Sequence, residues 1–211
     1  MQARSTIMIA AVLAVAALSL PSFAASVATV ASAVTPLNIR TGPGPQYSVV
    51  GAIPTQGLAT VTGCLQGSLW CQINYNGKQG WAYSQYLTAA VSGRQLTLSE
   101  RVTTLPPVIY TAPPETVGTA IVAPTVSGEF IAPPATVAPL SLAPPPTTVQ
   151  TYVTTHPVAP VYLNGEVVEG AGLPPDVVLS PVPQSEYSYA YVNGVPVLVE
   201  PTSRRVTYIY R

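Results

Sequence analysis

The chain has 211 residues, only 8% of them charged, and its acidic and basic groups cancel to a formal net charge of zero. That length holds one domain or two small ones, and no basic stripe exists to neutralise several phosphates, which excludes nucleic acid as a partner. The single histidine, His156, and the single aspartate, Asp176, leave no acid–base or nucleophilic constellation, no metal-ligand spacing and no phosphate loop, so the expectation is a non-enzyme without metal or cofactor.

Residues 1–24 read as a secretion signal. Arg4 supplies the positive start, residues 7–20 are apolar apart from Ser19, and Ser22-Phe23-Ala24 offers small residues for cleavage after Ala24, with Ala31-Ser32-Ala33 as a second candidate. The apolar stretch falls short of the ~20 residues of a spanning helix. The expected product is periplasmic or secreted, with no membrane span after signal cleavage.

Residues 34–90 carry both tryptophans, both cysteines and most of the Gly-rich turns, and residues 25–99 contain no Asp or Glu at all. Alternation predicts short strands at 37–40, 49–53, 58–62, 70–75 and 79–83, the last two flanking the hairpin signal Asn76-Gly77. Five strands so close together suggest a small barrel. Cys64 and Cys71 flank a short loop between two antiparallel strands, and in an exported protein an even cysteine count predicts a disulfide. Trp81 is expected in the core. Tyr47, Trp70, Tyr83 and Tyr86 fall at a loop or at strand ends, where they either line a groove for a ligand or only cap the barrel.

Residues 91–160 read as a disordered Pro/Thr/Ala-rich linker. Runs such as Pro144-Pro145-Pro146 favour extended polyproline geometry and exclude helix. Residues 161–211 regain periodicity. Tyr187, Tyr189 and Tyr191 share one face, Val195, Val197 and Val199 another, with Asn193-Gly194 between them and a second turn at Glu200-Pro201-Thr202-Ser203. This end is expected to be a small β-meander. Arg204-Arg205 is either a solvated turn or a contact for an anionic partner.

The run "LNIRTGPGPQYSVVGAIPTQG" followed by "WCQINYNGKQGWAYSQYL" resembles the bacterial SH3 domain of exported envelope proteins over residues 36–88. The resemblance implies a small β-barrel of a kind that often binds cell-wall peptides or other envelope ligands, frequently beside a catalytic domain. It places Arg40 at the end of the first strand, where its donors hold the loop carrying Gly42 and Pro43 by hydrogen bonds to backbone carbonyls. The stretch "GLPPDVVLSPVP" together with "YAYVNGVPVLVEPTSRRVTYIYR" is similar to a domain of unknown function found at the C-termini of exported alphaproteobacterial proteins. The fold class expected is thus all-β: an SH3-like five-stranded barrel, a linker and a C-terminal β-meander. The function expected is binding of a cell-wall peptide, peptidoglycan or an envelope protein. The alternative is an envelope assembly protein working by protein–protein contacts. A further possibility is that the Pro-rich linker docks on the barrel's aromatics; the oligomeric state stays open.

Overall fold

The computed structural model describes residues 28–91, 93–111, 128–130 and 144–211. The expected signal segment, with its cut after Ala24, lies outside the described residues.

The first sheet is built from β1 (Thr29–Ala33), β2 (Leu37–Arg40), β3 (Val49–Ile53), β4 (Leu58–Leu65), β5 (Trp70–Tyr75), β6 (Lys78–Tyr83), β7 (Leu87–Val91), β8 (Arg94–Thr97) and β9 (Pro107–Val108). The expected strands are β2 to β6. Asn76-Gly77 closes the β5–β6 hairpin, with both residues at positive φ. The barrel reading is extended in one respect. Among the described residues the strands follow the open path β3-β2-β6-β5-β4-β1-β7-β8, with β9 parallel to β4. The added strands have a physical reason: five short strands bury little, and Ala31 and Ala33 of β1 with Leu87 and Ala89 of β7 complete the core around Leu37, Ile39, Ile53 and Ile73.

The second sheet contains β10 (Pro160–Val161), β11 (Ser180–Pro181), β12 (Ser188–Val192), β13 (Val195–Glu200) and β14 (Arg205–Ile209), in the order β10-β12-β13-β14 with β11 beside β12. Its two faces follow the strand period. Val195, Val197 and Val199 join Ala190, Val192, Val206 and Ile209 in one core. Tyr189 and Leu198 face the other way, under Val149 and Val153 of the helix α1 (Thr147–Thr155).

That helix corrects the exclusion of helix from the linker. Pro146 immediately precedes it, and residues 147–155 contain no proline, so no backbone donor is lost within it. Tyr189 and Tyr191 hydroxyls donate to the backbone oxygens of His156 (2.7 Å) and Val153 (3.2 Å), fixing the helix on the sheet. The linker reading is also corrected between residues 94 and 110. There β8, β9 and Tyr110 pack on the first sheet, and Cys64 N–H donates to Pro106 O at 3.1 Å. Tyr110 meets Tyr47 and Trp81 edge-on, at centroid distances of 5.8 and 5.4 Å. Trp81 is buried, but opposite Ala82 of the main core and beneath Tyr110.

The described parts of the two sheets pack against each other. Val168 and Ala171 belong to the core of the first sheet, while Val49 packs against the core of the second. Arg204 and Arg205 are not a solvated pair. Arg204 donates to Pro174 O (2.8 Å) and Val177 O (2.6 Å), and Arg205 to Gly170 O (2.8 Å), so both hold the loop that reaches the first sheet.

Candidate ligand-binding cleft and the ion pair behind it

Arg40 ends β2, and its side chain is fully buried. A buried guanidinium needs both a counter-charge and partners for its donors. Nη1 donates to Pro45 O (3.0 Å) and Tyr47 O (2.7 Å), which holds the Gly-Pro loop onto the strand end. Gly42 is needed in that loop because the Tyr47 ring lies over it; a Cβ there would fall 2.5 Å from the ring. Pro43 sits half-buried in the same loop.

The counter-charge comes from the other sheet. Glu166, fully buried, accepts from Arg40 Nε and from Nη2 at 2.6 Å. Its carboxylate also accepts from Asn38 Nδ2 (3.1 Å) and the Val167 N–H (3.0 Å). Arg40 Nη1 further reaches Asn193 O at 2.9 Å, at the tip of the β12–β13 hairpin. The Asn193 carboxamide clamps the segment that carries Glu166 by accepting from Leu163 N–H (2.8 Å) and donating to Gly165 O (3.1 Å). Arg211 Nε donates to Asn38 Oδ1 at 2.7 Å, adding a second link between the units. The arrangement is a bidentate, desolvated pair whose remaining donors and acceptors are met.

In front of this network opens a cleft of about 650 Å³. One wall is the loop of residues 65–70, a second is the segment around Val102, Leu105 and Pro107, and a third is Asn164 with Gly165. The Cys64–Cys71 disulfide joins the strand residues paired at the base of the first wall. Among the described residues no charged side chain lines the cleft; the polar side chains there are amides and hydroxyls such as Gln66, Ser68, Thr103 and Asn164. Both the volume and the mixture of apolar surface with a few polar groups suit a ligand site.

The four aromatic candidates separate. Trp70 and Tyr83 pack edge-to-face with centroids 5.3 Å apart, and both line the cleft, Trp70 as a nearly buried floor and Tyr83 half-exposed. Burial, with the Glu129 charge adding, pushes the Tyr83 phenol above its usual pKa. Tyr86 is instead part of the core, its pKa pushed up to about 12 by burial, then by Tyr83 and Glu166. Tyr47 lies outside the cleft, against Tyr110. Asn164, Gly165 and Glu166 were not singled out as site residues by the sequence, and Asn193 only as a hairpin turn. One signal pointed toward them: residues 25–99 have no acid, so a counter-ion for Arg40 had to come from elsewhere in the chain. Among the described residues no three or more of His, Cys, Asp and Glu cluster as metal ligands, and no helix is long and apolar enough to cross a membrane.

Residues 35–88 match the family of bacterial SH3 domains, and residues 152–211 match a domain of unknown function, DUF1236. The chain is 38% identical over 64 residues to the Bacillus subtilis (strain 168) protein named "Putative N-acetylmuramoyl-L-alanine amidase YrvJ", covering 30% of this chain and 12% of that protein. No solved structure matches. Two separate stretches of the chain are thus similar to known families, residues 35–88 to the bacterial SH3 domains and residues 152–211 to DUF1236, and the buried Arg40–Glu166 pair joins them.

Proposed function

We propose that the protein is an exported, non-catalytic wall-binding module that holds a peptide or glycan segment of peptidoglycan in the cleft over Trp70 and Tyr83. The observation that carries this reading is the cleft itself, uncharged among the described residues, built on the SH3-like sheet and stiffened by the disulfide-closed loop. The similarity to bacterial SH3 domains and the N-acetylmuramoyl-L-alanine amidase name of the Bacillus protein support this choice of ligand class. The location proposed is the periplasm or the exterior, after removal of residues 1–24.

The test is retention of the chain from residue 25 to 211 on purified cell-wall sacculi, comparing wild type with Tyr83→Ala and Gln66→Ala. Both side chains line the cleft without being fully buried, so the fold is retained and circular dichroism verifies it. The reading expects wild type to be retained and both variants to release. Wild type passing through unretained removes it.

A second reading, envelope assembly through protein contacts, draws on exposed Val30, Val34 and Leu58 around the β1–β4 pair. It expects a concentration-dependent oligomer in light scattering and no retention on sacculi.

A further inference from the structure

We infer that the C-terminal unit completes the recognition site, with the Asn164 carboxamide contacting the ligand and the cleft accepting an uncharged stretch of it that bears amide or hydroxyl groups. This rests on the proposal that the cleft is the wall-binding site.

Three observations carry the inference. First, Asn164 is exposed at the cleft wall, and among the described residues its side chain makes no hydrogen bond, while its backbone N–H is held by Gly128 O at 3.2 Å. Its neighbours are fixed on both sides: Leu163 and Gly165 by Asn193, Glu166 by Arg40. A free amide on a clamped backbone is a preorganised donor and acceptor that loses little entropy on binding. Second, Gly165 allows the approach. Its φ is +97°, a backbone conformation that residues with a side chain adopt only with strain, and in it the segment lies against the Tyr83 ring, to which a Cβ would stand at 3.4 Å. Third, every polar side chain that lines the cleft among the described residues is neutral, and the Arg40 guanidinium behind it is already paired with Glu166. A ligand carboxylate would be desolvated there without a counter-ion.

The experiment measures binding of residues 25–211 to purified sacculi for wild type, Asn164→Ala and the near-isosteric Asn164→Asp, beside Tyr83→Ala, with thermal unfolding of each. Loss of one neutral hydrogen bond predicts roughly five- to tenfold weaker binding for Asn164→Ala. Asn164→Asp weakens binding at least as much, because it sets a charge in the cleft. Neither change moves the unfolding midpoint, since the ion-pair network is untouched. If both Asn164 variants bind like wild type while Tyr83→Ala does not, the cleft reading stands and this inference is overturned. If Tyr83→Ala also binds like wild type, or wild type fails to bind, the cleft reading falls and the inference with it.

Discussion

Changing Glu166 to Gln tests whether the two units are one cooperative fold. The glutamate carboxylate accepts from Arg40 Nε and, at 2.6–3.1 Å, from Arg40 Nη2, Val167 N–H and Asn38 Nδ2. Glutamine keeps the shape, but turns an amino group toward a donor and removes the charge, leaving a guanidinium at zero exposure without a counter-ion. Breaking one side of a buried pair costs about 3–5 kcal/mol, a large share of the ~5–15 kcal/mol that holds a typical native state. At about 2–4 °C per kcal/mol for a chain of this size, the midpoint should fall by roughly 6–20 °C. Thermal and urea unfolding by circular dichroism measure it. The companion variant, Arg40→Met with Glu166→Leu, removes both charges together and should cost less than the sum of the two single changes. The wild-type midpoint should respond little to about 1 M salt, because a desolvated pair is poorly screened. A Glu166→Gln protein within about 1 kcal/mol of wild type, or strict additivity in the double variant, refutes the reasoning.

Replacing Cys64 and Cys71 by serine opens the short loop that forms one cleft wall, and chain-entropy arithmetic for a loop this size gives a loss of about 2.5 kcal/mol in urea denaturation; an unchanged denaturation midpoint contradicts it. Gly165→Ala forces a side chain into a left-handed backbone against the Tyr83 ring and should cost at least about 1 kcal/mol by the same assay, with wild-type stability as the opposing outcome. The Glu200 carboxyl is lowered to about 2, first by hydrogen bonds from Ser203 and Thr202. Because its folded pKa is depressed, its stabilising effect is complete above the ordinary value of 4.5 and disappears as pH falls toward 2. Unfolding midpoints of wild type and Glu200→Gln should therefore differ at neutral pH and converge near pH 2, whereas parallel curves would exclude the mechanism. The Tyr86 phenol, raised to about 12, should ionise after the exposed tyrosines in an ultraviolet titration. Its burial therefore favours the fold below the ordinary pKa of 10 and ceases to do so as pH rises toward 12.

The local grammar of the chain determined a good deal. Strands β2 to β6 follow from two-residue alternation interrupted by Gly-Pro and Asn-Gly turns, because a pleated strand half-buried on one face leaves that mark in sequence. The opposite faces of the β12–β13 hairpin were legible for the same reason, in the tyrosines at odd positions and the valines after the turn. Arg40 beside a Gly-Pro loop in an acid-free stretch already implied a guanidinium with a structural task. Tertiary structure alone decided which carboxylate answers it. Glu166 lies 126 residues away, and nothing in its neighbourhood distinguishes it from Glu169, whose pKa is raised by burial and opposed by the Arg211 charge. The choice was made by packing, when Val168 and Ala171 entered the core of the first sheet and carried their neighbour to the end of β2. The same docking assembled a cleft from three distant segments and sent Tyr86 inward while leaving Tyr83 at the rim. Periodicity reports which face of an element is apolar; which other face covers it depends on the complementarity of surfaces far apart in the chain, and no local pattern encodes that.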